Sequence, residues 1–127
     1  MSTASFPYYY GVQSEQYSFY RVPKILFTDS RFSSLSTDAK LLYGILLDRM
    51  SLSKKNGWYD AQDRVYITFS LESVSEILGC KSEKIIKLFK ELQEIGLIER
   101  KRQGLGKASL IYVKNFTGEQ VFRKPKP

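Results

Sequence analysis

The chain has 127 residues, enough for one domain with a single hydrophobic core and no need of cross-links. Twenty Lys and Arg against thirteen Asp and Glu give a formal charge of +7, a balance that attracts polyanions. One cysteine and no histidine exclude an internal disulfide framework, a Cys/His zinc site and catalysis built on histidine.

Residues 1–16 carry Tyr8, Tyr9 and Tyr10 and no Lys or Arg, and are expected to form a flexible N-terminal arm. Two readings stay open for it, a frayed tail or an arm whose aromatics dock on a partner subunit. From Tyr17 to Phe27 the pattern is aromatic and broken by Pro23, which suggests an extended piece followed by a short helical turn. Ser36 is a candidate N-cap, and a helix over Thr37–Leu52 is predicted, with Leu41, Leu42, Ile45, Leu46 and Met50 on one side. Tyr43 and Leu47 widen its apolar surface. Such a helix is either central to the fold or shared with a second subunit. Lys54–Gly57 is read as the turn that follows.

Trp58–Tyr59 and Val65–Phe69 are β-prone and fit a hairpin, or one strand after a loop, with the second segment pairing with later strands. Ser70 should cap a second main helix with Leu71, Val74, Ile77 and Leu78 on one face and Gly79 as its left-handed stop. Ser82 should cap the third, with Ile85, Leu88, Phe89, Leu92 and Ile95 turned inward and Gly96 at its end. Cys80, in the turn between them, reads as a packing residue. A basic hairpin follows around Gly104-Leu105-Gly106. The tail from residue 117 reads as the start of a linker.

Helix, turn, helix and hairpin is the order of a winged helix-turn-helix, an α+β fold with three main helices, a small antiparallel sheet and a basic wing. On the third helix, Lys84, Lys87 and Glu91 are expected opposite the inward face, with Lys81 leading in and Lys90 flanking. Ser82 and Glu83 stand at its N-terminal end. There a hydroxyl can serve several bases, and a carboxylate can accept from a cytosine amino group. Arg100, Lys101, Arg102 and Lys107 surround the hairpin tip, where arginines suit the negative potential of a narrow minor groove. Strand alternation puts Arg100 and Arg102 on one side and Lys101 on the other. Sequence-specific binding of double-stranded DNA is the reading these features support. Asp60, Asp63, Glu72 and Glu76 do not form a metal or acid/base spacing, and no nucleophile–base pair suggests an enzyme or a cofactor.

Four stretches carry a family resemblance: FYRVPKILF at 19–27, LSTDAKLLYGILLDRMSLSKKNGW at 35–58, RVYITF at 64–69 and GLIERKRQGLGKASLIYVKNF at 96–116. Together they resemble the N-terminal domain of RepA-type replication initiators of theta-replicating plasmids from Gram-positive bacteria, notably staphylococci. The resemblance covers about residues 17–116. It implies a winged helix that binds iteron repeats in the plasmid origin as a homodimer or higher assembly, with pairing of origins tied to copy number. A separate C-terminal domain would recruit host replication proteins. The reading helix would run from Ser82 to Glu94 and the wing from Gly96 to Val113. The implied DNA-binding set is Lys81, Ser82, Glu83, Lys84 and Lys87 on the helix, with Arg100, Lys101, Arg102, Gln103 and Lys107 on the wing. Two rivals share the fold: a transcriptional repressor, and a protein-docking module that leaves DNA unbound. No run of about 18 apolar residues and no secretory signal is visible, so a cytoplasmic protein without a membrane partner is expected.

Overall fold

The computed structural model describes residues 5–11, 17–104 and 109–118. Most of the predicted N-terminal arm falls within or beside segments outside that set, and so does the predicted linker beyond residue 118. The elements run α1 (Ile25–Thr28), a single 3-10 turn (Ser30–Phe32), α2 (Thr37–Asn56), α3 (Leu71–Leu78), α4 (Ser82–Ile95), β1 (Ile98–Lys101) and β2 (Leu110–Val113).

Helix α2 begins where Ser36, in extended conformation, accepts the Ala39 N–H with its hydroxyl, and Asp38 lies in the first turn. It runs to Asn56, past the expected end at Leu52. Lys54 and Lys55 suit the negative end of the dipole, and the left-handed Gly57 is the first residue that stops the helix. Ala39, Leu42, Tyr43, Gly44, Ile45 and Leu46 are all buried. Of the two readings of this over-apolar helix, packing within the chain supports the central one. Its surface is covered by α4, β2 and the segment before α1. Leu41, expected inward, is exposed. Gly44 marks the closest approach: a Cβ there would lie 2.8 Å from the Arg21 carbonyl oxygen and 3.0 Å from a Val22 methyl.

Strands β1 and β2 pair antiparallel, Ile98 opposite Val113 and Lys101 opposite Leu110. The β-prone run before α3 contributes one bridge, Ile67 to Ile111, and so does pair with the wing as expected. No hairpin ladder forms between Trp58 and Phe69; a single bridge joins Tyr59 and Val65. The Asp60 carboxylate explains this. It accepts the backbone N–H groups of Gln62 and Arg64, the Arg64 Nε–H and the Tyr112 hydroxyl, so a side chain organises the turn in place of a ladder. The core joins Leu26, Phe32, Leu35, Leu42, Tyr43, Leu46, Ile67, Val74, Ile85, Leu88, Phe89, Leu92 and Ile111 in one cluster. Val74 anchors α3 there, with Leu71 and Leu78 half-buried and Ile77 exposed.

Candidate nucleic-acid interface

The turn between α3 and α4 is built by Ser75. Its carbonyl accepts from Gly79 and Cys80, and its hydroxyl donates to the Cys80 carbonyl. Gly79 adopts φ +66°, a region closed to most side chains. Cys80 is half-buried against the core. With the turn closed there, α4 begins one residue earlier than a Ser82 cap would place it. Lys81 is the extended N-cap and its carbonyl is the first to accept, from Lys84 and Ile85. Ser82 is therefore the first helical residue, not the cap that its type suggested. At this position its side chain stands exposed at the end of the helix.

Ile85, Leu88, Phe89 and Leu92 bury one face of α4 as expected, and Ile95 is half-buried. The opposite face differs from expectation in two residues. Lys84 and Glu91 point along the seam with α2, not away from it. The Lys84 ammonium lies 2.6 Å from the Asp38 carboxylate, and this hydrogen bond raises the Lys84 pKa above its ordinary value. Glu91 accepts both the backbone N–H and the hydroxyl of Ser36, each at 2.8 Å. The physical reason is that the N-terminus of α2 offers unpaired donors and an acid within reach, and an i, i+7 pair on α4 can serve both. The solvent face is left to Ser82, Glu83, Ile86, Lys87 and Lys90.

Ile86 is the residue that the apolar pattern hid. It is 51% exposed, the one large apolar side chain of α4 open to this degree. Periodicity alone gives no reason to separate it from Ile85. Only its 100° rotation away from the buried stripe does so.

The wing divides by face. Arg100 stands opposite the buried Ile111, and its guanidinium lies 5.5 Å from the centre of the Phe89 ring on α4. Arg100 is thus held at the flank of the helix. Glu99 and Lys101 project to the other face, shared with Tyr112 and Leu110. Gln103 also lies there, lining a groove with Trp58, Tyr59, Asp60, Tyr66 and Leu110. Arg102 is exposed just past the end of β1. The tip from Leu105 to Ala108, with Lys107, lies outside the described residues. Lys81, Ser82, Glu83 and Lys87 stand exposed at the start and along the outside of α4, and Arg100 lies over Phe89 at the flank of that helix. Lys101 and Gln103 lie on the other face of the wing, and Lys84 is tied to α2.

Among the described residues, Lys81, Lys87, Lys101 and Arg102 make no ion pair. Arg64 is paired with Asp60 at 2.8 Å, which raises its pKa. Burial pushes the Asp60 carboxyl up, but the hydrogen bonds from Arg64, Tyr112 and Gln62 outweigh it and hold the group well below the usual range. No group of acids, Cys or His among the described residues could hold a metal ion, and no described helix is long and apolar enough to cross a membrane. A cavity of about 540 Å³ opens between Tyr43, Met50, Tyr112 and Phe116 and includes no residue of α4.

Several known proteins are similar. A structure of a Rep–DNA complex shares 42% identity at a TM-score of 0.70, covering 77% of this chain and 75% of that one. The N-terminal domain of a DNA-binding protein shares 38% identity at a TM-score of 0.69, covering 81% and 85%. A structure of an MDR initiator shares 38% identity at 0.67, covering 77% of each. A 41 kDa protein of Lactobacillus helveticus is 28% identical over 96 residues, which are 76% of this chain and 27% of that relative. The chain thus spans about a quarter of that curated relative's length. The family model of the replication initiator protein A (RepA) N-terminus matches residues 18–124. With the winged-helix architecture and this match over most of its length, the chain belongs to the RepA N-terminal family of replication initiators.

Proposed function

We propose that this domain binds duplex DNA in a plasmid origin, reading repeated sites with the outer face of α4 while the wing lies along the adjacent backbone. The family supports the initiator role, and one observation carries the geometry. The side of α4 that is free of the core bears Ser82, Glu83, Lys87 and Lys90, and Arg100 is fixed beside it over Phe89. An α-helix fits the major groove, lysines on its rim neutralise phosphates, and polar groups near its N-terminus reach base edges. Lys81 and Lys87 set register, Ser82 and Glu83 face the bases, and Arg100 and Arg102 contact the strand beside the groove. Catalysis has no part in this reading.

Self-association belongs to the same proposal, since paired copies would place two reading helices on adjacent repeats or bridge two origins. Phe6, Tyr8, Tyr9, Tyr10, Tyr17, Phe19 and Tyr20 are all exposed, an aromatic surface suited to a second copy of the chain. Sedimentation at micromolar concentration should show a species larger than the monomer, and a monomer alone would remove this part. Host replication proteins would, on this reading, be met by another part of the initiator.

The test is affinity for an origin duplex as a function of salt. With about five or six phosphates neutralised per subunit, log K should fall against log salt with a slope near −5. Lys87→Ala should reduce that slope by about 0.9 and weaken all sequences alike. Arg102→Ala should cost about 1–3 kcal/mol if it enters the groove. A slope near zero, or unchanged binding by both variants, would refute the proposal.

A further inference from the structure

We propose that Ile86 reads the C5 methyl group of a thymine in the bound site. The inference rests on the reading of α4 as the groove-entering helix and names what its apolar residue recognises.

The chain has no folding use for an isoleucine here. Ile86 lies outside the buried cluster, and its outward half stays in water. Isoleucine is also a weaker helix former than the Lys, Glu or Gln that occupy similar exposed positions of α4. A single exposed apolar side chain is ordinary on a protein surface, so its position must decide the matter. Ser82 precedes it by one helical turn and Lys90 follows by one, both exposed. Glu83 and Lys87 stand on its other side. Ile86 is thus the apolar member of an exposed face whose other residues suit polar base edges and phosphates. Its inner neighbour Phe89 is covered by the Arg100 guanidinium, which leaves the outward half of Ile86 to contact a ligand.

In the major groove of B-DNA one base edge presents an apolar group, the thymine methyl. A branched side chain stiff at χ1 presents its own methyls at a fixed place with little ordering entropy. Contact at about 4 Å would dehydrate both groups without leaving a polar atom unpaired. An A·T pair is then favoured over a G·C pair at that step. Cytosine carries hydrogen where thymine carries the methyl, and its amino donor would face an apolar wall.

The test replaces thymine by 2′-deoxyuridine, first throughout the origin duplex by amplification with dUTP and then one position at a time. Deoxyuridine keeps every hydrogen-bonding edge and lacks only the methyl. The wild-type protein should lose about fourfold in affinity on the fully substituted duplex, the value of one buried methyl. The loss should map to one thymine per bound subunit. Ile86→Ala should bind both duplexes equally and about as weakly as wild type binds the deoxyuridine form, while Ile86→Val should keep a preference. Circular dichroism should show Ile86→Ala folded as wild type, since the side chain lies outside the core. Equal wild-type affinity for both duplexes overturns the inference, as does an undiminished thymine preference in Ile86→Ala. Either result leaves the DNA-binding reading intact if the salt slope and the Lys87→Ala effect hold. Failure of the wild-type protein to bind the thymine duplex at all overturns both.

Discussion

Tyr43 shows how one residue carries consequences from packing to pH response. Its ring is fully buried, makes an edge-on contact with Phe116, and its hydroxyl donates to the Lys114 carbonyl. Burial pushes its pKa up to about 12, against an unfolded value near 10. A raised folded pKa contributes stability that is complete below pH 10 and is lost as pH rises through 12. Stability should therefore fall by about 2–3 kcal/mol across that window, and Tyr43→Phe should flatten the slope. At the other end, the depressed carboxyls of Asp29 and Asp60 contribute stability above about pH 4 that is lost on further acidification. Denaturant titrations at pH 8, 10 and 12 check the alkaline arm, and an unchanged midpoint would contradict it. At this scale the sequence is uneven evidence. The types of Ser36 and Ser70 announce caps that form. Ser82 announces one that does not, because Ser75, seven residues earlier, sets where the turn closes. Burial of the Tyr43 hydroxyl against a carbonyl 71 residues away, just past β2, has no local signature.

Between elements, the seam of α2 and α4 is where polar side chains orient the reading helix. Glu91 occupies the two donors of the Ser36 cap and Lys84 meets Asp38, so the first turn of α2 fixes α4 in rotation. The Asp38 partnership also withholds one cation from the candidate interface. Asp38→Asn should release Lys84, tighten binding to an origin duplex by a few-fold at about 0.1 M salt, and steepen the salt slope by about 0.9. The same variant should melt slightly lower, because an acid near the positive end of α2 is lost. Unchanged affinity and slope would show that Lys84 stays directed away from the duplex. The helices themselves were readable: the stripes of α3 and α4 and the stops at Gly79 and Gly96 follow from 3.6-residue periodicity and left-handed glycines. Direction on the exposed side was not. Periodicity separates core from non-core, but the choice of Lys84 and Glu91 for the seam depends on which helix end lies nearby. The β-prone run from Trp58 to Phe69 was legible in type and not in form. Its local preference yields to the Asp60 network, and a single bridge remains to link it to β2.

For the whole molecule, a charge of +7 becomes informative only through its distribution. Arg31, Arg64 and Lys84 are each paired with a carboxylate, whereas, among the described residues, Lys81, Lys87 and Arg102 make no ion pair. The winged-helix order was legible because its punctuation is local, cap by cap and glycine by glycine. The split of the wing, with Arg100 toward α4 and Lys101 and Gln103 toward Trp58, follows from strand pleat and register and needed the pairing of Arg100 with Ile111. The most direct test is a titration of the isotope-labelled protein with a duplex origin repeat, followed by amide chemical shifts. The proposed interface predicts the largest changes at Lys81–Lys90 and Arg100–Gly104. Changes concentrated instead around Met50, Tyr112 and Phe116, with α4 silent, would contradict it.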